Sequence, residues 1–257
     1  MTKFKKIFLI ILSIFVFISL WEGSIRLFSI SNFLLPSPFE VLNSYVSMAL
    51  SGRLFYHTWV TTVETISGFI FGALIGIVLG YLVSKSKTLD YILSPFIIAA
   101  QTTPKLALAP LFLIWFGFGI ISKIFITTLI VFFPIFVNTA VAIKSINPNL
   151  KDLMKLVHAN RWQVFKNLEL PSSLPIIFAG LKSGITLAVV GAVVGEFVGA
   201  NAGLGYLIIF GTGQLNTGIV FTAIVQLVLI SIIFYEVVSA IGSRLMKWHH
   251  SEKDVHY

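Results

Sequence analysis

Long apolar runs dominate the chain, with no sustained alternation of buried and solvated positions. A helix needs about 20 mainly apolar residues to cross the hydrocarbon core of a bilayer. Six segments meet or approach that length: 7–27, 63–83, 92–116, 120–143, 176–200 and 219–241. The third is the least uniform, because Pro95, Pro104 and Pro110 interrupt it. The pattern predicts an all-α membrane protein with six transmembrane helices. The first run follows Lys3, Lys5 and Lys6, as the core of a secretory signal would. No small-residue cleavage site follows it, and the run continues through Trp21, Glu22 and Arg26, so it is expected to remain as a membrane anchor.

Composition supports this class. Hydrophobic residues make up 57% of the chain, charged residues 11%, and mean hydropathy is +0.96. Soluble domains carry about 25% charged residues, so this chain has too few to cover a water-facing surface. Cysteine is absent, which excludes disulfides and thiolate metal sites. The net charge of +8 is explained by topology. With the N-terminus inside, 13 of the 18 Lys and Arg fall on the inner side, three (Arg26, Arg53, Lys123) on the outer side, and Lys105 and Lys182 within spans. Basic residues collect on cytoplasmic loops, so both termini are expected inside (N-in/C-in), and nucleic-acid binding is not needed to explain the charge. Residues 29–62 are then external, with a helix expected near Phe39 after Leu35-Pro36-Ser37-Pro38. The charge-free stretch 201–218 is external too.

Two spans carry glycines four residues apart. Gly68, Gly72, Gly76 and Gly80 line one face of the second, and Gly191, Gly195 and Gly199 line one face of the fifth, after Gly180 and Gly184. Small residues let helices approach closely in lipid, where hydrophobicity cannot drive association. Tight packing and a sliding or pore-lining surface are both open readings of these faces. Ionisable residues inside spans are functional candidates because they are costly there. Glu64, Lys105, Glu196 and Glu236 qualify, with Lys182 near the inner end of its span. Glu196 lies about 30 Å along the helix from Ile176, near the external end of the fifth span. A snorkelling acid or a structural ion pair is the alternative for Glu64 and Glu196. Lys105, between Pro104 and Pro110, indicates a broken helix that must face protein or water.

The segment 146–171 reads as two short helices. Asn147 is a good N-cap and Pro148 a good first helical residue. Leu150, Leu153, Met154 and Val157 form an apolar stripe. Asn160 and Gln163 form a capping box for the second helix, which Pro171 and Pro175 are expected to end. The stripe could lie on the bilayer, pack under its own bundle, or dock into a groove on a cytoplasmic partner.

This run resembles the EAA loop of binding-protein-dependent ABC importer permeases, within the nitrate, sulfonate and taurine group that also includes thiamine-pyrimidine and riboflavin importers. Pro148, Leu150, Ala159, Arg161, Trp162, Leu170 and Pro171 match the loop, and Asp152 stands for its acidic residue. Leu153 and Met154 replace its alanines and His158 its glycine, which marks a left-handed bend. Gln101-Thr102-Thr103-Pro104-Lys105, Ala109-Pro110-Leu111-Phe112, Trp115-Phe116-Gly117-Phe118-Gly119, Gly195-Glu196-Phe197-Val198-Gly199 and Gly203-Leu204-Gly205-Tyr206 are similar to this group too, in order over about 35–245.

The resemblance implies a single permease domain over 1–257, with a core at about 35–245, a coupling hairpin at 146–171 and a tail at 248–257. It implies a type I importer bundle in the cell inner membrane. Two permease subunits, a homodimer by expectation, would work with two cytoplasmic ATPase subunits and an external binding protein. The cargo would be a nitrate-, sulfonate- or taurine-like anion, or a vitamin precursor such as a thiamine pyrimidine or riboflavin. Leu150, Asp152, Leu153, Met154, Val157, His158, Arg161 and Trp162 are the expected ATPase-coupling residues. Glu64, Gln101, Thr102, Lys105, Gly195, Glu196 and Gly199 are the expected pathway residues. The chain lacks a phosphate-binding G-x-x-x-x-G-K-[ST] loop, so ATP and Mg belong to the partner and no cofactor or catalytic role is expected here. All five histidines lie outside the expected spans, and neither H-E-x-x-H nor G-x-S-x-G occurs. The alternative is a secondary transporter or an accessory membrane protein working without an ATPase; inverted-repeat symmetry, which would favour the former, is not evident.

Overall fold

The structure, a computed structural model, describes residues 3–246; Lys247, Lys253, His249, His250, His256 and the expected tail 248–257 lie outside the described residues. Among the described residues all regular structure is helical. The helices are α1 (Lys3–Leu27), α2 (Pro38–Leu50), α3 (Arg53–Lys85), α4 (Lys87–Thr102), α5 (Ala109–Phe116), α6 (Ile120–Lys144), α7 (Pro148–Leu156), α8 (Arg161–Val164), α9 (Leu170–Gly199), α10 (Leu204–Gly213) and α11 (Thr217–Leu245). A 3-10 turn over Lys105–Leu108 precedes α5, and a π-turn over Phe165–Glu169 joins α8 to α9.

Four of the described helices are long and apolar enough to cross a membrane: Arg53–Lys85, Ile120–Lys144, Arg161–Gly199 and Thr217–Leu245. The pair Lys87–Thr102 and Lys105–Phe116 makes a fifth if it is one span bent by 86°. The expected span 7–27 falls on the 25-residue helix α1.

The chain divides into two compact units, 1–60 with 202–227 and 61–201 with 228–257. In the first, Ser37 caps α2 by accepting the Glu40 N–H, with Pro38 at the first helical position. Tyr45 donates to Gln226 Oε1 at 2.7 Å, and Thr217 donates to the Asn32 carbonyl at 2.7 Å. The stretch 201–218 contains α10, entered through Gly203 at φ 118°, a backbone geometry that favours glycine. The Gly203 N–H donates to His57 Nδ1 at 3.0 Å, and the His57 ring stacks on Tyr206.

The second unit is built around α6, which lies between the glycine faces of α3 and α9. A Cβ at Gly68, Gly72, Gly76 or Gly80 would meet Thr127, Val131, Ile135 and Thr139 respectively, at 3.2 Å or less. Both series ascend together, so α3 and α6 run parallel. On the other side Gly180, Gly184, Gly191 and Gly195 face Asn138, Ile135, Thr127 and Lys123, so α9 runs antiparallel to α6. Thr127 and Thr139 donate their hydroxyls to the carbonyls four residues back, leaving methyls for the glycines. Ala73, Val131, Ile135, Phe178, Ile185, Ala188 and Val238 form the apolar centre. Packing is therefore the reading the glycine faces take.

One expectation needs correction. Pro171 and Pro175 do not end the second hairpin helix, because a single helical path runs from Arg161 to Gly199. The π-turn accommodates Pro171: the Leu170 N–H donates to the Phe165 carbonyl, five residues back, just before the proline removes its own donor. Pro175 sits inside α9 with its hydrogen bond missing.

Candidate functional site

Two places in the second unit carry chemistry. The first is a buried polar cluster on α3, α6 and α9. Glu64 is 0% exposed and Glu196 2%. Lys123 Nζ stands 3.1 Å from Glu64 Oε1, and Thr61 donates to Glu196 Oε1 at 2.6 Å. Glu196 is the other charged neighbour of Glu64. The ion-pair alternative therefore describes Glu64, and both acids are enclosed within this chain. Lys123, expected on the outer side, lies in the first turn of α6, where it faces Gly195 and is buried. Its position four residues into an apolar span was the available signal. Thr61 gave none.

The second place is the break between α4 and α5. Non-helical backbone at membrane depth must have its polar groups satisfied. Thr102 and Thr103 hydroxyls and the Thr103 N–H all donate to the Ala99 carbonyl. Lys105 Nζ donates to the Gln101 carbonyl at 3.0 Å and lies 4.8 Å over the Phe133 ring, a cation–π position. Thr102 is exposed, and Gln101 and Lys105 are half-buried. Beyond the break Phe116 stacks on Phe125 at 4.3 Å. Gly195 packs on Lys123 and Gly199 on Phe118, so neither joins Gln101, Thr102 and Lys105. Lys182 is half-buried on α9, and Glu236 is exposed on α11.

The hairpin is capped as the sequence predicts. Asn147 accepts the Asn149 N–H with Pro148 at the first turn, and Asn160 and Gln163 form the capping box. His158 takes φ 53° at the bend, where the resembling loops have glycine. The apolar stripe divides in two. Met154 packs on the cluster of Ile143, Ile146 and Leu168, which Tyr81 also joins. Leu150, Leu153 (53% exposed), Leu156, Val157 and Trp162 (67% exposed) face outward. Asp152 pairs with Lys155 on the surface, and Arg161 is exposed. Sequence reasoning missed Glu169, which is 2% exposed and bonded to Tyr81 and Lys85 of α3.

Comparisons with known proteins agree on one family. The family model for the binding-protein-dependent transport system inner membrane component matches residues 72–249. The riboflavin transport system permease protein RibX of Chloroflexus aurantiacus is 36% identical over 231 residues, covering 90% of this chain and 86% of that protein. The formylaminopyrimidine transport permease protein ThiX of Halalkalibacterium halodurans is 36% identical over 230 residues, covering 89% and 91%. A solved chain of the inward-facing MetNI methionine ABC transporter shares the fold, with a TM-score of 0.65 at 21% identity over 77% of this chain and 97% of that one.

The buried cluster gives a stability test. Lys123→Met strips Glu64 of its cation, and breaking such a buried pair costs about 3–5 kcal/mol. Lys123→Met with Glu64→Leu removes the stranded acid and is expected to recover part of that loss. Thermal unfolding of the purified protein in detergent reads both variants. A single variant as stable as the parent would show that the pair holds nothing.

Proposed function

Since the chain belongs to the family of binding-protein-dependent transport system inner membrane components, and is thus a permease subunit of an ABC importer for small solutes in the inner membrane, we propose how it is driven. Two copies enclose the pathway, two cytoplasmic ATPase subunits carry ATP and Mg, and an external binding protein delivers the cargo. The observation that carries this reading is the outward face of the hairpin. Leu150, Leu153, Val157 and Trp162 expose apolar surface on a rigidly capped turn whose other side is anchored through Met154. Burying one Leu in a partner groove is worth roughly 1.5–3 kcal/mol. Asp152 and Arg161 orient the contact, and His158 sets its bend.

The pathway side is the break between α4 and α5, where Gln101, Thr102 and Lys105 meet water between the two copies. Glu64 and Glu196, with Gly195 and Gly199, brace the wall behind it. The cargo is a planar nitrogen heterocycle, the class to which riboflavin and formylaminopyrimidine belong; both relatives named for them are 36% identical to this chain over the aligned residues. The topology is six spans with both termini inside. The parallel course of α3 and α6 supports it, because it requires one return crossing by the α4–α5 pair.

Two experiments follow. Because the chain has no cysteine, single cysteines at Ser51 and Asn216 should react with an impermeant external thiol reagent and one at Asn167 should not. External labelling of Asn167→Cys would reverse the orientation. The second is co-purification from membranes. The parent chain is expected to bring down an ATPase and a binding protein loaded with a heterocycle. Leu153→Ser with Val157→Ser is expected to weaken ATPase retention by roughly two to four orders of magnitude, at about 1.4 kcal/mol per tenfold. Full retention would contradict the docking face, and taurine or a sulfonate in the binding protein would contradict the cargo class.

A further inference from the structure

Resting on the importer reading, we infer that Glu169 latches the hairpin to α3, and that motion of the hairpin reaches the membrane through this latch and not along α9. Glu169 closes the π-turn and is buried beneath the hairpin. Its carboxylate accepts the Tyr81 hydroxyl at 2.9 Å through Oε2 and pairs with Lys85 through Oε1. Tyr81 and Lys85 are one turn apart on α3, and Lys85 Nζ also lies 5.7 Å over the Tyr81 ring. Aromatic contacts continue the connection outward. Phe165 meets Tyr81 edge-on at 5.7 Å, and the exposed Trp162 stacks on Phe165 at 5.6 Å.

The covalent route from hairpin to α9 is compliant. It passes the π-turn, then Pro171 and Pro175, where helical hydrogen bonds are widened or missing. A push on the hairpin would bend the helix there. The route through Glu169 bypasses that weak stretch and enters α3, a 33-residue helix without internal proline. Its glycine face is locked against α6. Glu169 is therefore a positioning residue for coupling. It touches neither the exposed docking face nor the α4–α5 break. Removing it should separate movement of the hairpin from movement of the membrane helices.

The test uses the full complex with its ATPase, and spin labels on single cysteines in this cysteine-free chain. One label position, Asn149→Cys, is on the hairpin; the other, Val198→Cys, is at the far end of α9, and both are exposed. Distances between the two copies are measured without nucleotide and after trapping with ATP and vanadate. In the parent both distances should shift. In Glu169→Leu the Asn149 distance should still shift and the Val198 distance should not, with the ATPase retained. The exchange Lys85→Glu with Glu169→Lys restores the charge pair in reverse and should restore the Val198 shift even if Glu169→Leu fails to assemble. A Val198 shift in Glu169→Leu equal to the parent's overturns the latch. So does loss of the ATPase from an otherwise folded variant, which would place Glu169 in docking, and so does an exchange that restores nothing. A parent complex in which trapping moves neither label overturns the importer reading, and the latch with it.

Discussion

Close packing of α6 against two glycine faces is the contact on which the second unit depends. In a bilayer the lipid tails compete equally for apolar side chains, so helices associate by fitting backbones close together. Here the fit repeats every four residues. Gly68, Gly72, Gly76 and Gly80 present bare backbone to Thr127, Val131, Ile135 and Thr139. The opposite side of the same helix is taken by α9, whose Gly184 and Gly191 face Ile135 and Thr127 again. Ile135 and Thr127 are thus enclosed from both sides, which explains why they are almost wholly buried in a protein with so much exposed apolar surface.

Polar contacts sit at the two ends of this packed core and do different work. At one end Glu64, Lys123, Glu196 and Thr61 join α3, α6 and α9. Desolvating these charges is costly, so the cluster fixes register more than it adds stability. At the other end Tyr81, Lys85 and Glu169 join α3 to the hairpin. The hairpin is thus tied to the core through a buried acid, whereas α4 meets α6 through the exposed pair Lys144–Asp90. α4 has no fully buried residue, and its bend of 86° is held by local hydrogen bonds to Ala99 and Gln101.

Much of this was legible in the sequence. Run length located the four long apolar helices and the bent α4–α5 pair, because a bilayer imposes a length. Glycine spacing marked the two faces of the core, and the caps at Asn147 and Asn160 fixed the hairpin, because each rule is local. His158 was identifiable as the bend through resemblance alone. What stayed hidden depends on partners distant in sequence. The burial of Lys123 depends on Glu64 of α3 and Gly195 of α9, both far from it along the chain. Met154 could not be told from Leu153 within one stripe; only the position of Ile143, Ile146 and Leu168 decides which turns inward. Pro171 signalled an end to the helix, and the π-turn that carries the helix through it has no signature in residue type.

The central claim, that backbone-to-backbone fit on α6 holds this core, is tested most directly by adding a single methyl group. A Cβ at Gly72 would stand 2.9 Å from the Thr128 carbonyl and from Val131, whereas one at Gly23 would meet nothing within 4 Å. Alanine favours both helices intrinsically, by about 1 kcal/mol over glycine. The account predicts that Gly23→Ala leaves the unfolding temperature in detergent unchanged or raised. Gly72→Ala should lower it, by an overpacking cost of about 1–3 kcal/mol. A Gly72→Ala protein as stable as Gly23→Ala would contradict the account.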